Sequence, residues 1–114
     1  MPLLKVQTNN DVDNAQQDRL LGLLSALTAR ELGKPEQYVM VILETGTPMM
    51  FAGNDAPAMY LELKSIGLPE QQTGALSRNL SQAVHEETGI PVERIYIEFT
   101  NAPRHLWGWN GATF

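Results

Sequence analysis

The sequence predicts an α+β fold made of two tandem β-α-β units: a four-stranded sheet with two helices on one face, plus short strands. Three observations carry that prediction. Two long stretches have apolar residues at helical spacing, and each stops at a glycine followed two residues later by a proline (Gly33-Lys34-Pro35 and Gly89-Ile90-Pro91). The segments that follow them line up as a repeat, Gly33 to Val41 against Gly89 to Ile97. The segments before the helices also match, Leu4-x-Val6-x-Thr8 against Leu61-x-Leu63-x-Ser65. Each β-α-β crossover is expected to be right-handed, which puts both helices on the same side of the sheet. A chain of 114 residues suits one domain, residues 1–114, around one core.

In chain order, the first strand is expected from Leu3 to Thr8, broken by Asn9-Asn10-Asp11. Asp13 then caps a helix, with Gln16 three residues on in a capping-box arrangement. This helix runs to about Leu32, with Leu20, Leu23, Leu24 and Leu27 on one face. A strand follows from about Tyr38 to Leu43. Its run Val39-Met40-Val41-Ile42-Leu43 is apolar on both faces, so it needs cover on both sides. Helices cover only one, and the other is expected to pack on another subunit. Turn signals at Thr45 to Pro48 and Gly53 to Asp55 flank a short apolar piece, Met49 to Ala52. A third strand, Ala58 to Ser65, alternates Met59, Leu61 and Leu63 against Tyr60, Glu62 and Lys64. Helix two spans about Glu70 to Thr88, burying Leu76, Leu80, Ala83 and Val84, and the last long strand is Arg94 to Phe99. The tail holds Trp107, Trp109 and Phe114.

Composition removes several function classes. Eight basic against thirteen acidic residues give a net charge of −5, which disfavours nucleic acid and anionic membranes as partners. There is no cysteine, so thiol nucleophiles and disulfides are excluded. His85 and His105, far apart and without cysteine partners, make a poor zinc site, and no metal or cofactor is expected. His85 reads as a solvated position and His105 as a loop residue. The first 20 residues lack a basic-then-apolar leader, so the expected location is cytoplasmic, with any export leaderless.

Chemistry enters at the start of the chain. Pro2 follows the initiator methionine, and removal of Met1 would leave a secondary amine. Such an amine titrates near pH ~8 unperturbed, and burial or a nearby cation brings it towards neutrality as a general base. Alternatively, Pro2 is an ordinary second residue on a strand edge.

Taken together, Pro2, Gly33-Lys34-Pro35-x-Gln37-Tyr38, Phe51, Ser65-Ile66-Gly67 and Gly108-Trp109-Asn110-x-x-Thr113-Phe114 resemble the macrophage migration inhibitory factor family of the tautomerase superfamily, over essentially the whole chain. The resemblance implies a homotrimer with sites between subunits. It also implies keto–enol tautomerase activity on phenylpyruvate-like and dopachrome-like substrates, so the partner is a small aromatic α-keto acid. By the same resemblance Pro2 is the base, Lys34 holds the substrate carboxylate and keeps the Pro2 amine neutral, and the Ile66 backbone N–H bonds a substrate oxygen. Tyr96 of a neighbouring subunit binds the substrate oxygen, and Leu3, Tyr38, Trp109 and Phe114 line an apolar slot. Read singly, Lys34 is a cation at a helix C-terminus, Tyr96 a strand aromatic, Ile66 a buried strand end, and Trp109 and Phe114 are packing residues.

The sequence departs from the family's vertebrate members in three places. Their CxxC falls at Ala58-Met59-Tyr60-Leu61, which has no sulfhydryl, so thiol–disulfide chemistry is ruled out. Glu98 replaces a site asparagine. It points the same way as Tyr96, and a carboxylate there disfavours an anionic substrate and raises the Pro2 pKa, so weaker tautomerase activity or a shifted substrate preference is expected. Trp107 replaces a smaller residue and is expected to narrow the slot. The alternative function is a non-catalytic, cytokine-like binding or signalling protein of the same fold, and no receptor surface is readable from the residues. A hydrolytic dehalogenase or decarboxylase on the same scaffold would need extra arginines or acids around Pro2; Arg19, Arg30, Arg78, Arg94 and Arg104 show no evident convergence, and Glu98 keeps this reading open.

Overall fold

The computed structural model describes residues 1–114. The first strand, β1 (Leu3–Thr8), lies at the centre of a mixed four-stranded sheet of order β2-β1-β3-β4. It pairs parallel with β2 (Met40–Glu44) and antiparallel with β3 (Met59–Ile66), and β3 pairs parallel with β4 (Ile95–Ala102). The central ladder sets Leu4 opposite Leu63 and Val6 opposite Leu61, all essentially buried. These four meet Leu20, Leu24 and Leu27 of α1 (Asn14–Leu32) and Leu76, Leu80 and Val84 of α2 (Thr73–Thr88) in one continuous core. Fully burying a leucine stabilises by roughly 1.5–3 kcal/mol, so this layer dominates the favourable side of folding.

The repeat is visible in the backbone. Gly33 and Gly89 end their helices in the left-handed conformation, at φ 62° and 76°. Pro35 and Pro91 follow with nearly the same dihedrals, and each opens a single 3-10 turn, Glu36–Tyr38 and Val92–Arg94. These turns correct two expected strand starts. The second strand begins at Met40 rather than Tyr38, and the last begins at Ile95 rather than Arg94. The proline pre-sets φ for a tight turn before the chain can extend. The last strand also continues past Phe99 to Ala102, where Pro103 stops it. Helix α2 starts at Thr73, after a 3-10 turn at Glu70–Gln72.

Three side-chain expectations are also corrected. Asp13 accepts the Gln16 N–H at 2.8 Å, but the Gln16 amide does not return to close a capping box. It donates to the Glu87 carbonyl at 2.9 Å and ties the start of α1 to the end of α2. Leu23 is 40% exposed, because α1 faces the core through a stripe narrower than its leucines suggest. His85 is half-buried, with Nδ1 2.8 Å from the Ile90 carbonyl oxygen, closing the turn after α2. No helix is long and apolar enough to cross a membrane.

The sheet face away from the helices is open. Met40, Ile42 and Tyr96 are 60%, 38% and 64% exposed there. Arg94 lies at the end of this layer and staples the loop before β3. It donates to the carbonyls of Pro57 at 2.9 Å, Ala56 at 3.0 Å and Phe51 at 3.2 Å.

Candidate active site

Four pieces of chain converge on the N-terminus. Pro2 is buried, and its carbonyl accepts the Met40 N–H at 3.0 Å, extending the β1–β2 ladder by one step. Proline has no N–H to satisfy, so this end of the strand is held without an orphan donor.

Lys34 is placed by the way α1 ends. The Gly33 N–H donates to the Arg30 carbonyl at 3.3 Å and the Lys34 N–H to the Ala29 carbonyl at 3.0 Å. This is a Schellman closure, which turns the chain sharply out of the helix. The following 3-10 turn, secured by the Tyr38 N–H to Pro35 carbonyl bond at 3.1 Å, presents Tyr38 beside it.

The third piece is the end of β3. Ile66 is buried and Gly67 turns the chain at φ 66°, while the Leu68 N–H donates to Asn101 Oδ1 at 3.1 Å. The fourth is the tail. Asn110 and Gly111, both at positive φ, make a two-residue turn between β5 (Gly108–Trp109) and β6 (Ala112–Thr113). Asparagine-glycine is the pair best suited to two successive left-handed residues. The turn stacks Trp109 on Phe114, with ring centroids 5.6 Å apart and planes at 12°. Tyr38 meets Trp109 edge-on at 5.5 Å, so the three rings form one wall.

Two cavities adjoin behind this wall. One, of about 180 Å³, is lined by Met1, Lys34, Tyr38, Ile66, Arg104 and Phe114 among others. The other, of about 380 Å³ and mostly apolar, touches Pro2, Leu3, Met40, Trp107 and Trp109. Met1, Tyr38 and Phe114 line both, so the two are chambers of a single cleft with Met1 between them. Burial, then the positive charges of Lys34 and Arg104, hold the Met1 α-amine below its ordinary value of 8.0. Removing a charge from water and adding like charges both disfavour the ammonium form.

The structure therefore brings together Pro2, Leu3, Lys34, Tyr38, Ile66, Trp109 and Phe114, and sets Trp107 on the apolar chamber. Tyr96 and Glu98 are elsewhere in the same chain, side by side on the open sheet face. Tyr96 packs edge-on against Phe51 at 4.8 Å. Glu98 Oε2 lies 2.7 Å from the Tyr60 hydroxyl.

Arg104 is the residue the sequence reading missed: it does converge, on the same chamber as Lys34. The only signal was Pro103, which ends β4 and opens the 3-10 turn Arg104–Leu106. No grouping of three or more His, Cys, Asp or Glu suited to a metal ion occurs.

A family model for macrophage migration inhibitory factor matches residues 1–114. The macrophage migration inhibitory factor homolog of Trichuris trichiura is 36% identical, over 100% of both chains. The crystal structure of the homologue from Prochlorococcus marinus superposes with a TM-score of 0.92 at 43% identity, covering 98% of each chain. The factor from Trichinella spiralis superposes at 0.90 with 32% identity, covering 98% of this chain and 99% of its own.

Proposed function

Because the chain belongs to the macrophage migration inhibitory factor family, we propose that it is a keto–enol tautomerase that uses Pro2, freed of Met1, as its base. The carrying observation is the environment of the chain start: Pro2 is a buried strand end on a cleft with an aromatic wall, and the Met1 amine in that cleft is held below its ordinary value by burial, Lys34 and Arg104, surroundings that a Pro2 amine would inherit once Met1 is removed. A neutral amine there has a lone pair to use. It takes a proton from the carbon α to the keto group of a phenylpyruvate-like or dopachrome-like substrate. The C–H electrons become the new C=C, and the carbonyl oxygen takes up negative charge and a proton. Ketonisation runs the same steps in reverse.

Lys34 binds the carboxylate and holds Pro2 neutral, and the Ile66 backbone N–H bonds a substrate oxygen without any side-chain ordering. Leu3, Tyr38, Trp109 and Phe114 accept the ring. Tyr96 reaches the site from a neighbouring subunit, and Glu98 comes with it. That places the working unit as a homotrimer, a reading supported by the exposed Met40, Ile42 and Tyr96 on the open sheet face.

The test is tautomerisation of phenylpyruvate, followed by absorbance, on protein confirmed by mass spectrometry to begin at Pro2. Turnover that disappears in Pro2→Ala supports this reading. The relatives' name denotes a factor acting on macrophages, which favours a cytokine-like binding role as the second reading. Binding needs no free amine, so a function that survives Pro2→Ala would favour it.

A further inference from the structure

We infer that Arg104 is a second anion-binding residue of the cleft and that the preferred substrates are α-keto acids carrying a second carboxylate. The inference rests on the tautomerase reading for the reaction, but not for the binding.

Lys34 and Arg104 line the same chamber, and neither belongs to an ion pair; the two pairs in the chain use Arg19 and Arg30. The acids nearest Lys34 in sequence are occupied elsewhere. Glu36 accepts from the Ser25 hydroxyl at 2.9 Å, and Glu31 from the Asn79 amide at 3.0 Å. Two cations with no acidic partner within their own chain thus share one chamber of a chain whose net charge is −5. Clustered like charges with no partner form a local field that attracts anions against the sign of the whole molecule.

One carboxylate balances Lys34 and leaves Arg104 unpaired. A guanidinium presents a planar fork suited to a second carboxylate, whereas a lysine offers a point charge. The neighbouring apolar chamber remains free for the carbon body of the ligand. The chain has no other residue pair of this kind on a cavity. Arg104 is exposed, and its side chain forms no hydrogen bond within the chain, so its guanidinium is free to meet a ligand in this chamber.

The test compares two non-reacting ligands by calorimetry on the full chain: homophthalate, with two carboxylates, and phenylacetate, with one. The native protein is expected to bind homophthalate more tightly. In Arg104→Ala, homophthalate affinity is expected to fall about tenfold, the loss of one charge-assisted hydrogen-bonded pair, while phenylacetate changes by less than about threefold. Arg104→Lys should recover part of the preference, and raised salt should shrink it.

Equal losses for both ligands would overturn the inference and indicate that Arg104 instead pairs with an acid such as Glu98 across a subunit boundary. No preference in the native protein, or no homophthalate binding, would overturn it outright. Turnover of phenylpyruvate and of enol-oxaloacetate is measured in parallel. A diacid preference that persists without any turnover sinks the tautomerase reading and leaves the second anion site standing.

Discussion

The Lys34 ammonium stands 3.8 Å from the point a Cβ on Gly67 would occupy, so the end of α1 and the end of β3 meet at this pair. That spacing is ordinary van der Waals contact, so an added methyl would not displace the lysine. The cost of a side chain lies in the backbone, since Gly67 has φ 66°. Gly67→Ala is expected to lower stability by about 1 kcal/mol or slightly more, and Gly67→Asn by less, because asparagine tolerates the left-handed region. Denaturant melts of the two variants check this. An alanine variant as stable as the native chain would show that the turn is free to relax.

A second expectation concerns pH. The Met1 amine is held below 8.0 by burial first, then by Lys34 and Arg104. A base works unprotonated, so, with the same surroundings acting on the Pro2 amine, kcat/KM of the Pro2-initiated protein should rise with pH along an acid limb whose midpoint lies below about pH 8, the ordinary value for such an amine. Lys34→Ala should move that acid limb to higher pH, and Arg104→Ala should move it the same way by less. Stability follows the same sign. The unfolded chain binds more protons between the lowered folded pKa and the ordinary value, so stability rises with pH across that window and is flat above it. A limb that stays in place in both variants would remove the two cations from the account.

Much of this was legible in the sequence, for identifiable reasons. β1 alternates so cleanly that its ends, Leu3 and Thr8, fall where expected. The Gly-x-Pro repeat marked both helix ends, because only glycine takes the left-handed closure at no steric cost. What failed was local in a different way. Tyr38 looks like a strand residue by type, but the turn set by Pro35 holds it in a 3-10 conformation. Thr100 and Asn101 look like loop, yet they pair with Lys64 and Ser65 because the long β3 continues beside them. Arg104 lies 70 positions from Lys34 and shares a chamber with it because the 3-10 turn after β4 borders the same cleft. No spacing rule reaches that far. Tyr96 and Glu98, which the proposed trimer would bring to Pro2 from a neighbouring subunit, line neither chamber of the cleft within one chain.

Thr28 provides a test of the core itself. It is buried within α1, and its hydroxyl has no hydrogen-bond partner. A buried polar group without a partner costs about 1–3 kcal/mol of desolvation. Thr28→Val keeps the shape and the β-branch while removing the hydroxyl, so it should raise stability by about 1 kcal/mol and increase Tm. Thr28→Ala should not match it, since a methyl group is lost from a packed site. If valine destabilises, the hydroxyl is bonded in solution, and the packing here differs from that described.

The last expectation concerns Glu98. Its Oε2 lies 2.7 Å from the Tyr60 hydroxyl, and Glu62 Oε1 lies 2.9 Å from the same oxygen. Glu62 and Glu98 are register partners on β3 and β4, so two carboxylates stand side by side on the open sheet face. The phenol has one proton, which it donates to one of them at a time. The bond to Glu98 is the largest cause of a strongly raised Tyr60 pKa, followed by burial and by Glu62. Glu98→Asn shortens the side chain and removes one charge. Tyr60 should then ionise closer to its ordinary value while remaining above it, because Glu62 stays, and ultraviolet titration of tyrosinate reads this directly. If the neighbouring subunit's Glu98 also borders the Pro2 cleft, the same variant removes a carboxylate that repels an anionic substrate and favours protonated Pro2. Phenylpyruvate turnover should then rise, and the acid limb should move to lower pH. A Tyr60 shift with unchanged turnover would confine Glu98 to the sheet face and detach it from the site. A change in turnover without any Tyr60 shift would mean that the bond between these two residues does not hold Glu98 in solution.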